Sequence, residues 1–227
     1  MRIGVLLSGC GVNDGSEIQE AVLTLLAIQE IGAEYVCISI DANQHHVINH
    51  ITGAEMPETR NMLIESARIA RGEVIDITKV ELSEIDALVI PGGAGNAKNL
   101  SSWAFNGPDG TLRDDVKLLL VNCFNIGKPI VALCVSPVLL SLAFKNAEID
   151  LLLSLGTTQQ ESPYNISEFH AGVLKNGGDY SECALGSILI DEKNRVICAP
   201  CYMQNAKITE VNANIKTAMQ GLIQLMN

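Results

Sequence analysis

Lys128-Pro-Ile-Val-Ala-Leu-Cys134-Val-Ser-Pro-Val-Leu-Leu-Ser-Leu-Ala143 joins a short run of β character to a helical one, with a cysteine at the joint. Ile130 to Leu133 reads as an interior strand, because an unbroken apolar run with β-branched members fits a sheet covered on both faces. Ser136 and Pro137 read as a helix cap followed by proline at a first-turn position. Cys134 then occupies the turn between strand and helix. A thiol at a helix N-terminus faces free backbone N–H groups and the positive end of the helix dipole, which favour its thiolate. Against a reference pKa of about 8.5, only about 3% of an ordinary thiol is ionised at pH 7, and a drop of ~1.5 units, for roughly 2 kcal/mol, would ionise about half. The bland alternative is a buried, inert cysteine, since free cysteine is among the most buried residue types. The other six cysteines lack this setting.

Outward from this stretch, strand and helix alternate almost from end to end. Residues 3–8 read as a buried strand, 17–31 as a helix with Ile18, Val22, Leu25 and Leu26 on one face, and 35–40 as the next strand. Residues 57–71 are again helical, 87–90 form a short strand ending at Pro91-Gly-Gly93, and 112–126 form a helix closed by Gly127. Residues 151–155 read as a strand. The segments 187–190 and 195–199 flank Asp191-Glu-Lys-Asn194 as a hairpin, and 209–226 carry apolar residues at helical spacing. Alternation of this kind specifies an α/β fold with a mostly parallel central sheet and helices on both faces, spanning residues 1–227 as one domain. Chemistry is then expected at the carboxyl ends of the strands.

Composition narrows the function. The chain has 227 residues, 48% hydrophobic and 18% charged, enough for one large core. A net charge of −11 opposes nucleic-acid binding, which needs a basic face to neutralise phosphates. No apolar run reaches ~18 residues and no signal peptide precedes Arg2-Ile-Gly-Val-Leu-Leu7, so a soluble, cytoplasmic protein without membrane contact is expected. Seven cysteines, an odd number, agree with a reducing compartment. Cys198-Ala-Pro-Cys201 matches C-x-x-C, but it ends a strand where a redox pair opens a helix, and no second pair completes a zinc site. No cofactor and no metal are expected. His45, His46, His50 and Glu55 read more simply as a loop with surface histidines than as a metal cluster. His170, on a peripheral helix over 166–175, is a weak candidate for a catalytic base.

Three turns fall at strand ends: Ser8-Gly-Cys-Gly-Val-Asn-Asp-Gly15, Pro91-Gly-Gly-Ala-Gly95 and Cys134-Val135. Carried by neighbouring strands, they open on one crevice. The first departs from the G-x-G-x-x-G spacing of a dinucleotide site. The second can present backbone amides at close range, because glycine lacks Cβ and tolerates unusual dihedrals. Gly93 and Val135 are therefore candidate oxyanion donors, with a plain turn as the alternative.

The cysteine turn, the upstream Pro-Gly-Gly and a glutamate in the first helix together resemble the PfpI-like superfamily of class I glutamine-amidotransferase-like proteins. Ser8-Gly-Cys-Gly-Val12, Asp14-Gly-Ser-Glu-Ile18, Asn49-His-Ile-Thr-Gly53, Glu58-Thr-Arg-Asn61, Ala97-Lys-Asn-Leu100 and Pro200 to Met203 look most like its ElbB-type glyoxalase-like group. The resemblance covers nearly the whole chain. It implies a flavodoxin-like three-layer sandwich, Cys134 as nucleophile, and cofactor-independent conversion of glyoxal or a similar small dicarbonyl to a 2-hydroxy acid. The superfamily's glutamate falls on Glu20, with Glu17 one turn earlier. An ionised carboxylate would raise the thiol's pKa, so a helpful glutamate is expected to be protonated and to donate to the thiolate. Gly92, His50 and Asn99 are expected to line the substrate site, and a homo-oligomer, a dimer, is the expected assembly. A glutaminase of this superfamily uses a C-terminal His-x-Glu, whereas His170 is followed by Ala171-Gly172. Glutaminase activity is therefore not expected. The alternative is a non-catalytic or regulatory amidotransferase-like protein with a redox-sensitive thiol.

Overall fold

A computed structural model describes residues 1–226. In chain order the elements are β1 (Arg2–Leu6), α1 (Ile18–Glu30), β2 (Glu34–Ser39), α2 (Met62–Ile69), β3 (Val74–Asp76), β4 (Ala87–Ile90), α3 (Ala94–Lys98), α4 (Trp103–Asn106) and α5 (Asp114–Asn125). There follow β5 (Ile130–Leu133), α6 (Pro137–Ala143), β6 (Leu152–Leu153), α7 (Ile166–Lys175), β7 (Asp179–Tyr180), β8 (Leu189–Asp191), β9 (Val196–Ala199) and α8 (Ile208–Met226).

Seven strands form one sheet in the order β3-β2-β1-β4-β5-β9-β8. All neighbours are parallel except β8, which returns antiparallel to β9. Every residue of β4, β5 and β9 is buried, as strands covered on both faces must be. The arrangement is the flavodoxin-like α/β sandwich. Strand order reverses between β1 and β4, so the loops leaving their carboxyl ends diverge and open a crevice. The segments after β1, β4, β5 and β9 all reach it.

Three local expectations change. Of the four apolar residues grouped on one face of α1, Ile18, Val22 and Leu26 lie between 44% and 47% exposed and only Leu25 is buried; it points inward together with Glu20, Ala21, Thr24 and Ile28. The two sides are both apolar, and the burial of Glu20 at the end of the sheet decides between them. Helix α2 begins at Met62 because the Asn61 side chain caps it, accepting from the Ile64 amide at 3.1 Å. Strand β6 is only two residues long and leaves the main sheet to pair with β7, while the Leu152 amide donates to the Asp191 carboxylate at 2.9 Å.

Candidate functional site

The turn after β5 places Cys134 at φ +57°, a left-handed conformation that costs a non-glycine residue of the order of 1–3 kcal/mol. Surrounding bonds hold it there. The Cys134 amide donates to the Ala199 carbonyl at 2.9 Å, continuing the β5–β9 pairing past the strand end. Ser136 does not cap α6 with its side chain; its hydroxyl donates instead to the Pro91 carbonyl at 2.8 Å, and Asn96 Nδ2 donates to that same carbonyl at 2.8 Å. These bonds fasten the Pro91-Gly-Gly turn to the cysteine turn.

Gly92 is the point of closest approach. A Cβ built there would stand 2.8 Å from Cys134 Sγ and nearer still to Cys134 Cβ and Glu20 Oε2. Its amide donates to Glu20 Oε2 at 2.8 Å and its carbonyl accepts from the Glu17 amide at 2.9 Å. Gly92 is thus occupied in assembling the site, and it has no free amide for substrate. Gly93 adopts φ +110°, heads α3, and lines the pocket in front of the cysteine.

The two glutamates differ sharply. Glu20 is fully buried and accepts from the Gly92 and Tyr202 amides, and the Cys134 thiol beside it acts in the same direction as these two donors, lowering its pKa. Glu17 caps α1 by accepting from the Glu20 amide at 2.6 Å, and it lines the pocket without bonding Cys134. Burial is the largest cause raising Glu20, followed by the charge of Glu17; against the two amides and the thiol these carry its carboxyl from 4.5 to about 7. Burial also raises Glu17.

Cys134 moves the same way. Burial first, then the charge of Glu20, hold its thiol well above the ordinary range, and the Val135 amide directed at its sulfur does not offset them. The expected thiolate is therefore not the resting form. The Val135 amide belongs to the turn, since Val135 precedes both α6 and its Ser136 cap.

Val135 lies beside Cys134 and Gly93 in a cavity of about 150 Å³, whose walls include Trp103, Phe169, Tyr164 and Met203. Two other expected residues lie outside it. Asn99 is buried and structural, donating to the Ser8 and Asp14 carbonyls at 2.9 and 2.7 Å and accepting from the His45 amide at 2.8 Å. His50 accepts from the Asn13 amide at 3.2 Å and faces Asp14 across 3.7 Å, so it braces the loop after β1. His170 stacks on Tyr180 with centroids 4.2 Å apart, away from the pocket, and burial lowers its pKa. Among the described residues no cluster of three or more metal-ligating side chains is present.

Two residues near the nucleophile were not assigned to the site from the sequence, where Cys201 was weighed only as half of a C-x-x-C pair. Tyr202 supplies an amide to Glu20 at 3.1 Å, and its hydroxyl donates to Gln19. Cys201, fully buried at φ +47°, has its thiol beside the Cys134 amide and the Glu20 charge. Pro200 to Met203 carried a family motif, which was the available signal; its place in space follows from the Leu133–Ala199 register.

No protein-family model matches the chain. Among curated proteins it is similar to the human mitochondrial glutamine amidotransferase-like class 1 domain-containing protein 3, 33% identical over 228 residues that cover 99% of this chain and 83% of that one. It is also similar to the crystal structure of an isoprenoid biosynthesis protein with an amidotransferase-like domain from Ehrlichia chaffeensis, with TM-score 0.90 and 32% identity over 100% of both chains. A ThiJ/PfpI domain protein from Brachyspira murdochii shares the fold alone, with TM-score 0.55 and 12% identity over 98% of this chain and 95% of that one. The cytoplasmic expectation is overturned by these relatives: the human protein, the rat ES1 homologue (33% identical, covering 99% of this chain and 84% of that one) and the zebrafish ES1 protein (29%, covering 89% and 77%) are all named mitochondrial. No described helix is long and apolar enough to cross a membrane. The similarity runs along nearly the whole chain, and the chain belongs to the glutamine amidotransferase-like class 1 family that includes the ES1 proteins.

Proposed function

We propose that the chain is a cofactor-independent glyoxalase of the ElbB-like kind, converting glyoxal or a similar small dicarbonyl to a 2-hydroxy acid. The observation that carries this reading is the buried Glu20 carboxyl set beside the Cys134 side chain, the two meeting over Gly92 at an apolar pocket. Sulfur adds to one aldehyde carbon, an S–C bond forms, and the carbonyl π pair moves to oxygen as the thiol proton passes to Glu20. The amides of Gly93 and Val135 face the developing alkoxide. Removal of the hydrogen on the sulfur-bearing carbon gives an enediol. Reprotonation at the neighbouring carbon gives a thioester, and water breaks the S–C bond to release glycolate and restore the thiol. One carbon is oxidised as the other is reduced, so no external oxidant enters. Glu20, near 7, can accept and return protons at neutral pH.

One observation favours a second reading. No histidine lines the pocket beside Cys134, and the resting thiol is protonated, as expected of a non-catalytic member with a regulatory thiol. Glycolate formation from glyoxal by the wild type, Cys134→Ala and Glu20→Gln separates the two. The glyoxalase reading expects product from the wild type and a loss of at least about 100-fold in each variant, the scale of general acid–base catalysis. Equal rates in all three sink it.

A further inference from the structure

The pocket in front of Cys134 is larger and less polar than a glyoxal molecule requires. Its volume is about 150 Å³, and an apolar cavity of about this size holds a benzene ring. Cys134 and Val135 are among its walls. Trp103 and Phe169, stacked 5° from parallel with centroids 6.3 Å apart, line the side, with Met203, Ala97 and Val12 around them. No lysine, arginine or histidine is among the lining residues; the charged group facing the cavity is the Glu17 carboxylate, with Glu20 behind it. Lys98, on the neighbouring helix, spends its ammonium on the Asn13 carbonyl at 2.9 Å.

Two consequences follow from transfer energetics. An apolar substituent seated against these rings gains roughly fourfold in affinity for each CH₂ it removes from water. A carboxylate or phosphate on the substrate would lose its water without a cation to meet it, beside carboxylates of the same sign.

We propose that this site selects neutral aldehydes that carry a compact, ring-sized apolar substituent, the aldehyde carbon over Cys134 and the substituent against Trp103, Phe169 and Met203, and that it rejects anionic aldehydes. The inference rests on Cys134 being the group that adds to a carbonyl, but not on turnover. The adduct is a hemithioacetal: an S–C bond forms, the carbonyl π bond opens, and the thiol proton ends on the new hydroxyl.

The test measures how acetaldehyde, cyclohexanecarbaldehyde and glyoxylate each slow alkylation of Cys134 by iodoacetamide, read at the Cys134 peptide by mass spectrometry. Each half-protecting concentration is divided by that aldehyde's affinity for N-acetylcysteine, which removes differences in hydration and reactivity. Cyclohexanecarbaldehyde is expected to protect at a normalised concentration about 30-fold or more below acetaldehyde, and glyoxylate is expected to protect less than either. Ala104→Leu, at an exposed position on the rim where folding is not at stake, should narrow that ratio. Benzyl alcohol forms no adduct and reads the pocket alone: it should raise Tm more than ethanol does at equal concentration, and less so in Ala104→Leu. Normalised ratios near one, glyoxylate protecting as well as the ring aldehyde, or no differential Tm effect overturns the inference. Glyoxal turnover without this ranking leaves the glyoxalase reading standing and removes the inference; the ranking without turnover does the reverse.

Discussion

Replacing Glu20 by glutamine should change the pH dependence of folding in a calculable way. The wild-type carboxyl rises from 4.5 to about 7 on folding, chiefly through burial. The folded state thus holds this proton more tightly than the unfolded chain does. That contribution to stability is fully present below pH 4.5 and is lost as the pH rises through about 7. At about 1.36 kcal/mol per pH unit, the loss approaches about 3 kcal/mol by pH 8, of which about 2.5 falls between pH 5 and pH 8. Glutamine never ionises and does not suffer it. It does bring a pH-independent penalty: Glu20 accepts from both the Gly92 and Tyr202 amides, and glutamine turns an NH₂ toward one of them, at about 1–3 kcal/mol. The slope therefore decides, not the level. Urea unfolding of both proteins at pH 5 and pH 8 should show the wild type losing about 2–3 kcal/mol relative to Glu20→Gln across that interval. Parallel curves would mean that Glu20 ionises as an ordinary surface carboxylate, and the account of the site would fail with it.

Three further outcomes follow from the same geometry. Gly92→Ala places a methyl against Cys134 and the Glu20 carboxylate at once, and should cost about 1–3 kcal/mol in thermal or urea unfolding and abolish glyoxal turnover; a stable, active variant contradicts the packing. Alkylation of Cys134 should show a midpoint above about 8.5, because burial and Glu20 raise the thiol, and Glu20→Gln should move it down; a wild-type midpoint below about 7 would restore the thiolate that the structure argues against. Since ionised Glu20 is the proton acceptor, kcat/KM for glyoxal should climb through an apparent pKa near 7 and level off above it.

Much of this was legible in local sequence. Ile130 to Ala143 specified a strand, a turn and a helix, and the structure holds all three with the cysteine between them. The glycine turns after β1 and β4 and the cysteine turn after β5 do meet at one crevice, because their strands are neighbours. What local reading missed depends on partners distant in the chain. Cys201 and Tyr202 reach the site through β5–β9 pairing, a register that periodicity within either strand does not encode. The inward side of α1 is not legible in its apolar residues because both sides carry them, and one of the residues turned inward is a buried carboxylate that hydrophobic patterning counts as outside. Asn99 and His50 stand in motifs that resembled a substrate site, yet their hydrogen bonds go to the loop after β1. The state of the thiol was misread for a related reason. A helix terminus is visible in sequence, whereas the burial and the Glu20 charge that outweigh it are properties of the packed fold.

The central claim is that the Cys134 sulfur carries the substrate carbon while Glu20 handles its protons. Quenching the wild type during reaction with glyoxal, adding hydroxylamine, and mapping the released adduct tests it most directly. The account predicts a hydroxylamine-labile two-carbon adduct on the Cys134 peptide, absent from Cys134→Ala and reduced in Glu20→Gln. Glycolate formed at the wild-type rate with no adduct on Cys134 would contradict it.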